Sequence, residues 1–141
     1  MSPISLAHVG LWVHDQDEAL VFYTEKLGFE LRADVTLDDF SYRWLTVGPP
    51  GQPEVSFILN VPGPPLFTDD VAASVVKDVA TGQAPGFILH TDDCRATVEE
   101  LRARGVEFTQ EAEERPWGID ASFRDPSGNE ARLVQPFHAT S

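Results

Sequence analysis

The chain has 141 residues, with 10 basic and 23 acidic side chains and a formal net charge of −13 at pH 7. This surplus of negative charge repels nucleic-acid phosphates and anionic membrane surfaces, so neither is an expected partner. The length suits one domain, no apolar run approaches the ~20 residues of a membrane span, and the first residues lack the basic and apolar parts of a secretory signal. A single cysteine allows no internal disulfide, and together these features lead us to expect a cytoplasmic protein.

The first predicted strand lies within residues 6 to 13, where side chains alternate. His8 and Trp12 point to one side of this strand, and an all-apolar set points to the other side, which a helix should cover. Asp15 begins a capping-box pattern, so a helix is predicted to start there and to end at Gly28.

The same pattern returns about 78 residues later, which is the strongest single observation in this sequence. Phe87 and Leu89 should face inward from a second strand, Asp92 or Asp93 should cap a second helix, and Gly105 should end it. The chain is therefore predicted to have arisen by doubling one structural unit.

Three further strands are predicted after each helix, with a Pro/Gly turn before the last one. They are predicted at residues 29–35, 42–47 and 57–62 in the first unit, and at 106–110, 119–124 and 131–136 in the second. Each unit is thus βαβββ. The units span about residues 5–62 and 85–136, and the linker at 63–84 contains a predicted helix over 69–80.

Two stretches then reveal a family resemblance: FYxxxLGF from Phe22 to Phe29 and RPWGxxxxFRDPSGN from Arg115 to Asn129. With the early histidine and the doubled unit, the chain resembles the vicinal oxygen chelate superfamily over about residues 5–136. That group contains glyoxalase I, extradiol dioxygenases, fosfomycin-modifying enzymes and bleomycin-binding resistance proteins. The resemblance implies a single α+β domain over 1–141, in which two βαβββ modules form paired, curled mixed sheets around a cavity.

The resemblance also implies where a metal would be bound. In metal-dependent members, one side chain from the first and last strand of each module holds a divalent ion, and the corresponding residues here are His8, Ile58, Gly86 and Arg132. Only His8 can ligate a metal, and Arg132 brings a fixed positive charge. We therefore expect no metal site of the usual kind and no cofactor. Because the Ile58 assignment can shift by a residue or two, the neighbouring candidates Glu54, Ser56 and Asn60 stay open.

Two residues are candidates for catalysis. His8 can serve as a base near neutral pH, or it is a family remnant held by a polar neighbour. Arg132 can bind a carboxylate or enolate oxygen in the cavity, or it pairs with an acidic residue such as Glu130 or Asp120 and only shapes the wall.

Aromatic side chains make the predicted cavity suitable for an apolar or planar small molecule. Trp12 is the strongest candidate because it shares a strand face with His8, whereas Trp44 is expected to fill the core or an interface. Cys94 is expected to be inert, and His14 and His138 are expected to be exposed. The full predicted pocket consists of His8, Trp12, Ile58, Gly86, His90, Trp117, Asp120 and Arg132.

Three functions agree with these residues. The first is a metal-free protein that binds a small, partly aromatic molecule, as the bleomycin-resistance branch does. The second is a divalent-metal-dependent glyoxalase-like lyase or a dioxygenase, with displaced ligands such as Glu54, Glu130 or Asp120. The third is a metal-free isomerase or lyase with His8 as base and Arg132 as oxyanion partner. A homodimer is expected because open sheet edges leave apolar strand surface uncovered.

Overall fold

The computed structural model describes residues 2–64 and 66–137. The first half of the chain contains β1 (His8–Trp12), α1 (Gln16–Val21), a π-helical turn (Phe22–Lys26), β2 (Glu30–Leu37), a 3₁₀ turn (Asp38–Phe40), β3 (Tyr42–Gly48) and β4 (Ser56–Asn60). The linking helix is α2 (Asp69–Ala80). The second half contains β5 (Phe87–His90), α3 (Cys94–Ala103), β6 (Phe108–Arg115), β7 (Gly118–Arg124) and β8 (Glu130–Pro136).

The strands form two four-stranded mixed sheets with the same topology. Their strand orders are β1-β4-β3-β2 and β5-β8-β7-β6. The pairs β1–β4 and β5–β8 are parallel, and the other pairs are antiparallel. The expected α+β class and the doubled topology are thereby confirmed. Curling of the sheets around a cavity stays a prediction.

The helix caps and helix-ending glycines predicted from the sequence are present in the structure. The side chain of Asp15 accepts a hydrogen bond from the backbone N–H of Glu18 at 2.9 Å, and Asp93, rather than Asp92, accepts one from Ala96 at 3.1 Å. Gly28 and Gly105 follow the two helices with φ of 78° and 94°, a conformation that disfavours a side chain.

Three elements, the first helix, β2 and β6, differ from the sequence prediction for physical reasons. The first helix widens into a π-helical turn after Val21, with the Leu27 N–H donating to the Phe22 carbonyl five residues back, a feature that apolar periodicity does not reveal. Strands β2 and β6 extend to Leu37 and Arg115, because their outer parts stay paired with β3 and β7 although they carry polar residues.

A single hydrophobic core joins the two halves. The Phe57 ring in β4 lies 4.8 Å from the Phe87 ring in β5, and Tyr23 contacts the same Phe87 at 6.4 Å between ring centroids. Three residues of α3, Cys94, Val98 and Leu101, are buried in this core. Within the described residues, no helix is long and apolar enough to cross a membrane.

The buried carboxylate of Asp125 ties the halves together. Its Oδ2 accepts from the Tyr23 hydroxyl at 2.8 Å, and its Oδ1 accepts from the backbone N–H groups of Ser127, Gly128 and Asn129 at 2.9–3.0 Å. The Asn129 amide donates both to Asp125 and, at 2.7 Å, to the Trp12 carbonyl in the other half. Burial, followed by the nearby Asp125 charge, raises the pKa of Tyr23 well above its ordinary value, so its hydroxyl stays a donor.

Two basic side chains, Arg104 and Lys26, each lie beside the helix end of the other half of the chain. Arg104, at the end of α3, donates from Nη1 to the Lys26 carbonyl at the end of the first helix, 78 residues away and 3.2 Å distant. A side-chain carbon added at Gly28 would lie 3.7 Å from Arg104, and one added at Gly105 would lie 3.4 Å from the Lys26 ammonium. Each half thus places a cation beside the helix end of the other, where the helix dipole favours positive charge.

We predict that Tyr23→Phe lowers the free energy of unfolding by about 1.5–3 kcal/mol, because a buried carboxylate loses a hydrogen-bond donor. Urea denaturation measures the change. Tyr42→Phe is the matched control: it removes a hydroxyl that bonds a half-buried amide, Asn60, and should cost about 1 kcal/mol or less. Equal losses in the two variants would contradict a special role for the Tyr23–Asp125 bond.

Candidate functional site

Each sheet has one face against the core and one open face, and the open face of the first sheet carries His8. The His8 Nδ1 lies 2.7 Å from the Ser56 hydroxyl, directly across the β1–β4 pair. Its ring also meets Trp44 edge-on, at 5.2 Å between centroids and an interplanar angle of 88°. These contacts fix the ring orientation, and within the described residues Nε2 makes no hydrogen bond.

An aromatic pair lies at the other end of the same strand. Half-buried Trp12 packs against Phe67 of the linker, with ring centroids 4.9 Å apart and planes tilted by 44°. Beside it, the Tyr42 hydroxyl donates to the Asn60 amide oxygen at 2.6 Å. The linker thus contributes an aromatic side chain to the open face, next to the residue that the sequence identified as the best pocket candidate.

The open face of the second sheet is organised by Asp120, which is completely buried. Its Oδ1 accepts from the Gln110 amide at 2.9 Å, and its Oδ2 accepts from the Trp117 indole N–H at 2.9 Å and from the Arg132 Nη2 at 2.7 Å. The Arg132 side chain is 36% exposed and Trp117 is 54% exposed. Of the two roles open to Arg132, pairing with Asp120 is the geometry seen. We call Asp120, Trp117 and Arg132 the second-sheet triad.

Electrostatics at Asp120 follow from this arrangement. Burial by itself raises the pKa of this carboxyl, but hydrogen bonds from Arg132, Trp117 and Gln110 and the Arg132 charge outweigh it and lower the pKa below its ordinary value. The buried Ser122 hydroxyl, opposite Arg132 on β7, has no hydrogen-bond partner within the described residues. Asp120 is therefore an anion that neutralises the arginine beside it.

The four positions that the resemblance assigns to a metal hold His8, Ile58, Gly86 and Arg132, of which only His8 has a ligating side chain. His8 faces Ser56 across the strand pair, and Ile58 faces Gly10, so the first sheet offers one ligand. At Gly86 an added side-chain carbon would clash with the backbone oxygen of Glu130, and Arg132 is engaged with the buried carboxylate. In the part of the chain that the structure describes, no three His, Cys, Asp or Glu side chains are grouped to hold an ion.

The structure separates the two candidate catalytic residues. His8 contacts Ser56 and Trp44 in the first sheet, whereas Arg132 contacts Asp120 in the second. His90 lies exposed on β5 opposite Val134. A pocket shared by the two open faces stays a prediction.

Other predicted residues have simpler positions. Cys94 is fully buried, and burial raises the pKa of its thiol above the ordinary value, which agrees with an inert role. His14 is exposed and lies 3.6 Å from Glu18. His138 lies outside the described residues. Gln110 was missed by the sequence reasoning, because its role depends on a bulged β6–β7 register that no motif announces.

Comparison with known proteins identifies the family to which this fold belongs. A family model described as the Glyoxalase/Bleomycin resistance protein/Dioxygenase superfamily matches residues 5–133, so the chain belongs to that superfamily. The crystal structure of UcmS2 is similar to this chain with a TM-score of 0.88 and 46% identity, over 94% of this chain and 98% of that one.

Two further proteins are similar to nearly the whole chain. TnmS3, described as an antibiotic binding protein from Streptomyces sp. CB03234, shares 33% identity and a TM-score of 0.75, over 96% of this chain and 98% of that one. An uncharacterized protein of Shewanella frigidimarina (strain NCIMB 400) is 34% identical over 131 residues, which cover 93% of each chain.

We predict that Asp120 contributes stability that acid removes. A folded-state pKa below the unfolded value of ~3.9 stabilises the fold above about pH 4, and the contribution is lost as the pH falls through the native pKa. Thermal unfolding of the wild type and Asp120→Asn, from about pH 6 to about pH 2, checks this. The variant should be less stable at the upper pH, and the difference should narrow in acid; a constant difference would contradict the prediction.

Proposed function

We propose that this protein binds a small, partly aromatic molecule on the open faces of its sheets without a metal ion. The observation that carries the proposal concerns the positions that the resemblance assigns to a metal: Ile58 and Gly86 offer no ligand there, and Arg132 is paired with Asp120. Aromatic side chains and hydrogen-bond donors are available on the same faces. Their chemistry suits recognition of a planar guest better than coordination of an ion.

The first sheet supplies stacking surface. Trp12 and Phe67 are already paired, and His8 and Trp44 present a second aromatic edge on the same face of the sheet. The second sheet supplies Trp117 together with the donors of Arg132. TnmS3 is described as an antibiotic binding protein, and the similarity over nearly all of both chains supports ligand binding here.

The predicted pocket is carried into this proposal as a set. We propose that the ligand contacts its members from both sheets, with His8 and Arg132 as binding rather than catalytic groups. The members are His8, Trp12, Ile58, Gly86, His90, Trp117, Asp120 and Arg132. The cytoplasmic location expected from the sequence also belongs to the proposal, and fractionation of the native host tests it.

We predict that Trp12→Ala weakens binding of a planar probe, 2-naphthamide, by about 1–3 kcal/mol, because the indole surface no longer covers the ring. Isothermal titration calorimetry measures the affinity. The chain has three tryptophans, so a ¹⁵N-labelled sample gives three indole signals, and those of Trp12 and Trp117 should shift on binding.

Trp44→Phe is the control for this titration, because it keeps an aromatic ring beside His8 and should change the affinity by about twofold or less. Failure of both 2-naphthamide and its acid, 2-naphthoate, to bind the wild type would overturn the proposal for planar aromatic guests. Binding that leaves the Trp12 signal unmoved would place the ligand elsewhere.

A divalent-metal-dependent lyase or dioxygenase is the second candidate, and one observation favours it. The His8 Nδ1 is held by Ser56, and Nε2 has no partner among the residues that the structure describes, which is how ligating histidines are oriented in metal sites. Such an enzyme would need displaced carboxylates, with Glu54, Glu130 and Asp120 as the expected candidates. Of these, Asp120 already accepts hydrogen bonds from three side chains.

Metal analysis distinguishes the two candidates. We expect protein purified and dialysed without chelator or added metal to contain zinc, nickel, manganese and iron at well below one ion per chain, measured by plasma mass spectrometry. His8→Ala should leave these contents unchanged. One divalent ion per wild-type chain, lost in His8→Ala, would replace the binding proposal with the metal-dependent one.

We also propose a homodimer. Apolar side chains on the strand surfaces are exposed in the single chain, notably Val35 at 47% and Leu37 at 40%. Covering such surface against a second copy is a usual solution for exposed strand edges and apolar patches. Light scattering should give the mass of two chains, and a monomeric mass at micromolar concentration would contradict this.

A further inference from the structure

The second-sheet triad brings an indole and a guanidinium to a single oxygen atom. Trp117 and Arg132 both donate to Oδ2 of Asp120, at 2.9 and 2.7 Å, and Gln110 occupies Oδ1. The buried carboxylate of Asp120 holds both side chains in place. Both remain partly exposed to solvent, Trp117 by 54% and the Arg132 side chain by 36%. The result is a rigid platform whose aromatic and hydrogen-bonding parts adjoin.

The charge of this platform is close to zero. Arg132 carries one positive charge and Asp120 one negative charge, and the carboxylate stays ionised because its partners lower its pKa. Glu130, two residues from Arg132 on the same strand, adds a further negative charge, and the whole chain has a net charge of −13. A ligand anion therefore meets no net attraction at Arg132.

The donors of Arg132 are nevertheless available. A guanidinium has five N–H donors, and within the described residues Arg132 uses Nη2 alone. Ile88, which faces Arg132 across the β5–β8 pair, is 62% exposed and offers apolar surface beside those donors. Directed donors between an indole and an isoleucine suit a carbonyl oxygen attached to a flat ring.

We infer that the second-sheet triad selects neutral, carbonyl-bearing aromatic molecules over the corresponding carboxylates, with Asp120 as the residue that determines this specificity. The inference rests on the proposed function and names the chemistry of its ligand. This preference is the opposite of that expected for an arginine without a carboxylate partner, which would bind carboxylates more tightly than neutral ligands. Asp120 acts through Arg132 and Trp117 and is thus a positioning residue.

The test compares two probes of the same shape, 2-naphthamide and 2-naphthoate, on the wild type and on Asp120→Asn. The wild type should bind the amide at least as tightly as the acid. The variant removes the buried negative charge, so its affinity ratio should shift toward the acid by about tenfold, while affinity for the amide changes by about twofold or less. Gln110 can turn its amide to accept from the new Asn side chain, so the packing is preserved.

Glu99→Gln is the matched control, because it removes one negative charge from an exposed position on α3, away from the triad, and should leave the ratio unchanged. A second measurement needs no variant: wild-type affinity for 2-naphthoate should stay constant or rise as sodium chloride increases. An arginine acting as an anion anchor would instead lose affinity with salt. This salt series decides the question even when Asp120→Asn fails to fold.

The outcomes separate this inference from the proposed function. A wild type that prefers the acid, an unchanged ratio in folded Asp120→Asn, or probe binding that leaves the Trp117 indole signal unmoved would overturn the inference while ligand binding stands. Absence of binding by both probes would overturn the proposed function, and the inference with it.

Discussion

The fold depends on one buried carboxylate, that of Asp125, which is held by donors from both halves of the chain. An ionised group taken out of water is costly unless every lone pair finds a partner. Tyr23 from the first half and three backbone N–H groups of the turn after Asp125 satisfy that demand. Because Asn129 also bonds the Trp12 carbonyl, the same turn fixes the end of β1, where the open aromatic face begins.

Asp120 is a second buried carboxylate whose charge is balanced by hydrogen-bond donors, and it lies at the candidate site. Its hydrogen bonds with Gln110, Trp117 and Arg132 hold its carboxylate in one orientation in the sheet. At a position where the resemblance implies a metal ligand, this chain has Arg132, whose charge Asp120 balances. Under the proposed function, this site serves hydrogen bonding and stacking rather than coordination, a change that a single fold accommodates easily.

The sequence predicted the fold well because its signals are local. Asp15, Asp93, Gly28 and Gly105 mark helix ends through short-range hydrogen bonds and backbone conformation, and the helix over 69–80 was read with its observed limits. The π-helical turn was missed because it adds one residue to a turn without disturbing the apolar pattern.

The site was harder to predict, because its contacts cross strands. Alternation placed His8 and Trp12 on one face, but their partners Ser56 and Phe67 are brought to them only by the β1–β4 register and by the path of the linker. For Arg132 the sequence left two roles open, and choosing between them required knowing that Asp120 lies one strand away with its oxygens turned toward the guanidinium.

The contact between Arg104 and the end of the first helix, together with its counterpart at Lys26 and Gly105, has a consequence for assembly. Reciprocal contacts of this kind, in which equivalent residues exchange partners, characterise the two-fold interface between identical subunits. Here both sides of the interface belong to one polypeptide. Its formation is therefore independent of protein concentration, and dilution that would separate two subunits leaves these two halves together.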